Sequence, residues 1–423
     1  MKNPLYITFL FLFSCSIFYA QKEKKNLNKN PLDNISLNGL QWRSVGPSLT
    51  SGRISDIAVN PNNIFEYYVA TSAGGVWKTI NSGVDYTPIF DNEGSYSIGC
   101  VTIDPNNHNV IWVGSGENNN QRSVSYGDGV YKSINGGASW QNMGLKSSEH
   151  IGKIIIDPND SDTVYVAAIG PLWSKGGERG LYKSIDGGVN WSLILYIDEN
   201  TGVNDVIIDP RNPDVLYASS FQRRRHVFTY VGGGPGSGLH KSVDGGQNWI
   251  KINEGLPNEE LGRIGLTISP ANPEYLYAIV EAANAKGGFY RSLNRGASWV
   301  KQSSHSTSGN YYQEIIADPI DPNRVFSMDT WMTVTNDGGK TFNKVGEDFK
   351  HVDNHSIWIN PKNNSHWLVG SDGGIYETFD NANNWDFKEN LPVTQFYKVA
   401  VDNAEPFYNI YGGTQDNFSI GGP

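Results

Sequence analysis

Two motifs alternate seven times along 423 residues, and the composition is rich in turn formers and aromatics. Together they predict an all-β fold: a β-propeller of four-stranded blades, seven complete and an eighth partial. The 47 Gly, 20 Pro, 12 Trp and 22 Tyr make turns frequent and long helices scarce, and 38% hydrophobic residues supply a large core. A formal charge of -10 makes nucleic acid a poor partner for the surface as a whole.

The first motif is an octapeptide: SINGGASW (133–140), SIDGGVNW (184–191), SVDGGQNW (242–249) and SLNRGASW (292–299). Looser copies are TINSGVDY (79–86), TNDGGKTF (335–342) and TFDNANNW (378–385). The copies recur roughly every 50 residues, the period of a propeller blade. In each, Asp or Asn is expected to accept backbone N–H bonds, Gly to supply positive φ, and the last aromatic to pack between sheets. Asp186, Asp244, Asp337 and Asp380 are therefore read as structural.

The second motif is an apolar strand, a proline turn and another strand, as in VTIDPNNHNVIWVG, with its proline at 61, 105, 158, 210, 270, 319 and 361. Each unit then reads as strand, Pro turn, strand, variable loop, strand, octapeptide turn, strand. Residues 396–413 supply only the first half of an eighth unit. Trp42–Gly46 (WRSVG) is similar to the strand after an octapeptide, so the termini either share that blade or the chain stops short of further blades.

At the N-terminus, Lys2 and the apolar run Leu5–Phe13 predict an export signal over residues 1–20. Soluble secretion or periplasmic release is preferred over a lipoprotein acylated at Cys15. Residues 21–38 read as a flexible linker and 39–423 as the propeller. No later stretch is apolar enough to cross a bilayer. With the signal removed, Cys100 stands alone in SIGCVTID, where a buried inert thiol is expected and no disulfide.

In a four-stranded unit the repeated turns share one face. The variable loops share the other, where function is expected. Long loops in units 2 to 4 would wall a cleft holding Glu117, Arg122, Asp128, Trp173, Arg179, Arg223, Arg225, His226 and Tyr230. Carboxylates, arginines and aromatics together suit a polysaccharide or a peptide segment of an extracellular protein. His351, Asp353 and His355 alternate along HVDNH, which would put them on one face for a metal. No further ligand spacing accompanies them, so a solvated loop is preferred, and neither a metal nor a cofactor is expected. No Walker loop, HExxH, GxSxG or Cys/His zinc pattern is present.

The octapeptides resemble Asp-box (BNR) repeats, and residues 40–423 resemble the sortilin N-terminal-like BNR-repeat proteins of bacteria, which carry a glycosyl hydrolase label. VGSGENNNQRSVSYGDGVYKS, QRRRHVFTY, DNHSIWINP and YGGTQDN carry that likeness. Such proteins are commonly longer, which implies a monomer or part of a longer multi-blade chain. More distantly, the chain is similar to xyloglucan-cleaving glycosidases, in which two propellers flank a cleft and two aspartates act by inversion. One of those aspartates lies in a turn that matches Ala70–Gly75 here, with Ser72 at its position. The equivalent turns of units 7 and 8 hold Asp372 and Asp416. If the chain hydrolyses glycans, these two are the expected pair, with Glu117 next. Sialidases, also Asp-box propellers, imply arginines around a substrate carboxylate, a role in which Arg53, Arg122 and Arg223 could be cast. Of two readings, an exported propeller that binds a glycan or peptide, which the serine at 72 favours, is preferred over the alternative, a polysaccharide hydrolase.

Overall fold

The computed structural model describes Ser36, residues 50–416 and residues 418–423. The export signal, Cys15, most of the linker and Trp42–Gly46 lie outside the described residues. The chain divides after Gly46, and the architecture below belongs to the unit 47–423.

That unit is all-β. Seven four-stranded antiparallel sheets follow one another along the described residues, each a simple meander in chain order. The first is built from Ile54–Val59, Tyr67–Thr71, Val76–Thr79 and Thr87–Pro88. The opening strands of the other six are Ile98–Ile103, Ile151–Asp157, Thr201–Asp209, Leu261–Ile268, Ile315–Ala317 and Asn354–Ile359. Second strands such as Tyr67–Thr71 and Ile111–Ser115 are buried at every residue, as expected for strands covered on both faces.

Seven apolar clusters hold these sheets, each lying between two neighbours. Tyr68, Val76, Phe90 and Ile111 join the first sheet to the second. Further clusters follow in turn to the one joining the sixth to the seventh around Phe326 and Trp367. The last unites Ile54, Ile57 and Val69 of the first sheet with Leu368, Ile375 and Leu391 of the seventh, so the series closes on itself. Backbone bonds from Ser51 to Val393 (3.0 Å) and from Gly52 to Asp372 (3.0 Å) reinforce that join. A three-stranded sheet, Phe396–Val401, Ile410–Thr414 and Ser419–Gly422, follows and adds no residue to the seven clusters. Among the described residues the ring is thus closed by sheet seven against sheet one, and the blade shared between the termini rests on Trp42–Gly46, outside those residues.

The octapeptides make the bonds their composition asks for. In SIDGGVNW, Asp186 accepts from the Ser184 hydroxyl (2.8 Å) and from the N–H of Asn190 (2.9 Å), while Ser184 Oγ accepts from the N–H of Gly188 (2.8 Å). Asp244, Asp337 and Asp380 repeat the pattern. The closing tryptophans Trp140, Trp191 and Trp299 reach back to the preceding sheet, donating to Ile89 O, Met143 O and Ile252 O at 2.6 to 2.8 Å, while Trp249 donates to Gly246 O of its own turn at 3.1 Å. Cys100 is buried, and burial raises its thiol pKa well above the ordinary range.

Candidate functional site

The turn Ser371–Asp372–Gly373, between Trp367–Ser371 and Gly374–Thr378, faces the same side of the ring as the long loops. The Asp372 main chain is pinned on both sides: its N–H donates to Asp353 O and its carbonyl accepts from Gly52, both at 3.0 Å. This brings together the start of the first sheet, the approach to the seventh and its inner turn. Ser51 Oγ then donates to Gln415 O (2.6 Å), which docks the turn carrying Asp416 beside them.

The Asp372 carboxylate receives four donors. Arg53 grips both oxygens, Nε to Oδ1 at 2.7 Å and Nη2 to Oδ2 at 2.8 Å. His355 Nε2 lies 2.8 Å from Oδ1, and Gln415 Nε2 donates to Oδ2 at 2.7 Å. His355 Nε2 also lies 3.2 Å from Arg53 Nε. The shorter, charge-assisted contact takes the Arg53 proton, which leaves His355 to donate its own to the same carboxylate oxygen. Arg53 Nη1 reaches Glu117 Oε1 at 2.9 Å, so one guanidinium bridges two buried carboxylates.

Burial alone would raise the Asp372 pKa, but His355 and Arg53 outweigh it and hold the carboxyl far below the usual range. Asp416 moves the other way, pushed up first by burial and then by its hydrogen-bonded neighbour Asp372. Gln415 Nε2 bridges the two. One oxygen each of Asp353, Asp372 and Asp416 lies within 4.8 Å of the others. Asp353 Oδ1 accepts from the Tyr312 hydroxyl at 2.6 Å, and the Tyr312 ring stacks on His355 with centroids 5.3 Å apart. Arg53 also lies under the Tyr311 ring, 5.5 Å from its centroid.

Three converging carboxylates could share a cation, and Asp353, Asp372 and Asp416 are the residues that would hold it. The donor chemistry argues otherwise. The two Asp372 oxygens already take a guanidinium, an imidazole and an amide, so a cation there would displace them and sit against the Arg53 charge.

The loop of the second sheet expected as a wall runs inward instead. Gly116, at φ +86° and against the carbonyl of Glu149, turns the chain where a side chain would clash. Residues 117–120 then accept hydrogen bonds from four arginines in turn. Glu117 accepts from Arg53, Asn118 from Arg263 (3.2 Å), Asn119 and Asn120 from Arg223 (3.1 and 2.6 Å), and Asn120 O from Arg225 (2.6 Å). Asn120 also reaches Gly309 O and Asn310 O, both at 2.9 Å.

This corrects the expected lining. Arg179 and Arg223 are each 1% exposed. Arg179 is spent on the carbonyls of Ile169, Pro171, Ser174 and Gly176, and Arg223 on those of Asn119 and Gly170 as well as on the Asn120 side chain. Both lock loops, because a buried guanidinium with main-chain acceptors costs less than one left bare. Arg225 is buried over the Tyr230 ring, 4.5 Å from its centroid. Arg53, Arg122 and Arg223 therefore do not converge on one ligand: two are bonded within the fold and Arg122 is exposed. Trp173 and His226 are exposed, and Asp128 accepts from the Tyr131 hydroxyl at 2.6 Å. His355 is buried rather than in a solvated loop, since it opens the first strand of the seventh sheet. Ser72 is buried, its N–H donating to Arg53 O at 3.0 Å.

No protein-family model matches the sequence. Among curated proteins the chain is similar to a xyloglucanase of Paenibacillus sp., 22% identical across 86% of this chain and 41% of that one. It is also similar to a xyloglucanase of Acetivibrio thermocellus, 23% identical across 73% of this chain and 40% of that one. The chain thus spans about two-fifths of these relatives' length. Among solved structures it resembles the GH74 xyloglucanase of Xanthomonas campestris, with TM-score 0.63 and 15% identity over 88% of this chain and 59% of that one. It also resembles YCF48 bound to D1 peptide, with TM-score 0.51 and 16% identity over 81% of this chain and 98% of that one. These neighbours are propellers, in keeping with the ring of four-stranded sheets.

Proposed function

We propose that the chain is an exported glycoside hydrolase acting on a polysaccharide of the xyloglucan kind, with Asp353, Asp372 and Asp416 at its centre. The observation that carries this is the gathering of three carboxylates within 4.8 Å, in which Arg53 and His355 hold Asp372 ionised while burial and the Asp372 neighbour push Asp416 upward. Such a split is how one site keeps an acid beside a fixed negative charge at neutral pH. The likeness to xyloglucanases supports a polysaccharide of this class as substrate.

Asp416 would protonate the leaving glycosidic oxygen. The lone pairs of Asp372 are taken by four donors, so its role is a fixed charge opposite the developing oxocarbenium. Asp353, whose carboxylate receives one described hydrogen bond, from Tyr312, is left as base or nucleophile. One oxygen each of Asp353 and Asp416 lies within 4.8 Å of the other, close enough for the two to flank one glycosidic bond.

A second reading, capture of a glycan or peptide without cleavage, draws on Ser72 and on the peptide-bound YCF48 neighbour. Release of reducing ends from a panel of plant and algal polysaccharides separates the two. Cleavage by the wild type, lost in Asp416→Asn, supports hydrolysis; binding of the same panel with no product overturns it in favour of capture.

A further inference from the structure

Beside Glu117 lies a cleft of about 330 Å³ lined by Gly94–Tyr96 and Val124–Asp128. It opens between the loop that leads into the second sheet and the long loop within that sheet, on the same face as Asp416. Two tyrosines in its lining, Tyr96 and Tyr126, are exposed by 65% and 73%. The deeper lining is polar and fixed. Asp128 accepts from the Tyr131 hydroxyl (2.6 Å) and from Ser115 (3.3 Å), and the Ser125 carbonyl accepts from Ser97 (3.1 Å). Gly94 leaves the room, since a side chain there would run into Asp128 and the Tyr131 hydroxyl.

We infer that this cleft is a sugar subsite, in which Tyr96 and Tyr126 offer ring faces to the C–H face of a neutral pyranose while Asp128 and main-chain carbonyls accept from its hydroxyls. The inference rests on the proposed glycan function and adds to it a site separated from the three aspartates by Glu117 and Arg53. Its lining is rich in acceptors and carries the Asp128 carboxylate, which suits a neutral ligand better than an acidic one. Each Asp128 oxygen is already partly answered, which suits a hydroxyl donor better than a full positive charge.

The cleft is also wired to the centre. The Ser125 N–H donates to Glu117 Oε2 at 3.1 Å, Glu117 Oε1 accepts from Arg53, and Arg53 holds Asp372, whose Oδ2 shares Gln415 with Asp416. A polymer bridging Tyr126 and Asp416 would lie over this bonded line.

The test is isothermal titration of the full chain with a xyloglucan oligosaccharide, and with choline as a cationic competitor for an aromatic site. Tyr96→Ala and Tyr126→Ala are expected to weaken oligosaccharide binding at least tenfold at unchanged melting temperature, and Tyr96→Phe and Tyr126→Phe to stay within about threefold. If Tyr96→Ala lowers the melting temperature, Tyr126→Ser on the exposed loop serves in its place. Alanine variants that bind as tightly as a binding wild type overturn the subsite and leave the proposed function standing. A wild type that binds no glycan overturns both. Choline that binds the wild type where the oligosaccharide does not, and is itself lost in the alanine variants, overturns the sugar as occupant.

Discussion

Arg53 and Asp372 stand 319 residues apart and meet through two parallel hydrogen bonds of 2.7 and 2.8 Å, one from each nitrogen of the guanidinium edge. The first residue leads into the first sheet and the second turns the seventh. The pair therefore joins the two ends of the ring at the place where the carboxylates gather, and it ties the integrity of the fold to the chemistry of the site.

Removing one partner strands the other in a buried position. Arg53→Met is expected to destabilise the protein by about 3 to 5 kcal/mol, because both Asp372 and Glu117 lose their charge partner. Arg53→Met with Asp372→Asn should recover part of that loss. Urea unfolding of the three variants measures the coupling, and full additivity would count against the pair acting as a unit.

Asp416 is raised by burial and by the Asp372 charge, so its proton is lost above the usual carboxylate range. If Asp416 is the acid, the alkaline limb of the pH–rate profile follows that proton. Asp372→Asn removes the negative neighbour and should move the limb to lower pH. An unmoved limb would assign the acid elsewhere.

His240 is buried, 3.0 Å from the Ser220 hydroxyl, and burial pushes it down to about 4. A histidine with a depressed folded pKa lends stability that is present above its ordinary value near 6.5. That stability is lost as pH falls from there toward about 4, where the folded state also takes the proton. The expected loss from this residue is on the order of 3 kcal/mol. His240→Gln should flatten that part of the stability curve, as read from urea midpoints at several pH values.

Trp191 carries both an apolar ring and the 2.8 Å bond to Met143 O of the preceding sheet. Trp191→Phe keeps most of the ring and should cost about 1 kcal/mol for the lost bond. Trp191→Ala should cost several times more. Similar melting temperatures for the two variants would show that the sheet-to-sheet bond, rather than the packing, dominates.

The sheets were readable because their determinants are local. A Ser, an Asp and two Gly within eight residues settle a turn without reference to the rest of the chain, and repetition multiplies that signal. The proposed pair Asp372 and Asp416 could be singled out for the same reason, since each occupies an equivalent turn of its unit. Arg53 and Asp353 were not assigned beside them, because their partnership depends on closure across the whole ring. Arg179 and Arg223 show the opposite failure: a ligand-binding arginine and a loop-locking one are identical in sequence. Only the path of residues 117–120 decides between them.

That path bears on how the chain comes to be folded. The segment Glu117–Asn120 is made early in synthesis, yet its partners Arg223, Arg225, Arg263, Gly309 and Asn310 arrive between 103 and 190 residues later. Until they do, four polar residues destined for the interior must wait in water, and the first two sheets can form their own strands but not seat this loop. Such late, distant pairings slow folding and make its final step cooperative. The same loop carries Glu117, so the arginine-bound centre comes into being only when the circle is complete, and a nascent or partly unfolded chain is expected to be inert.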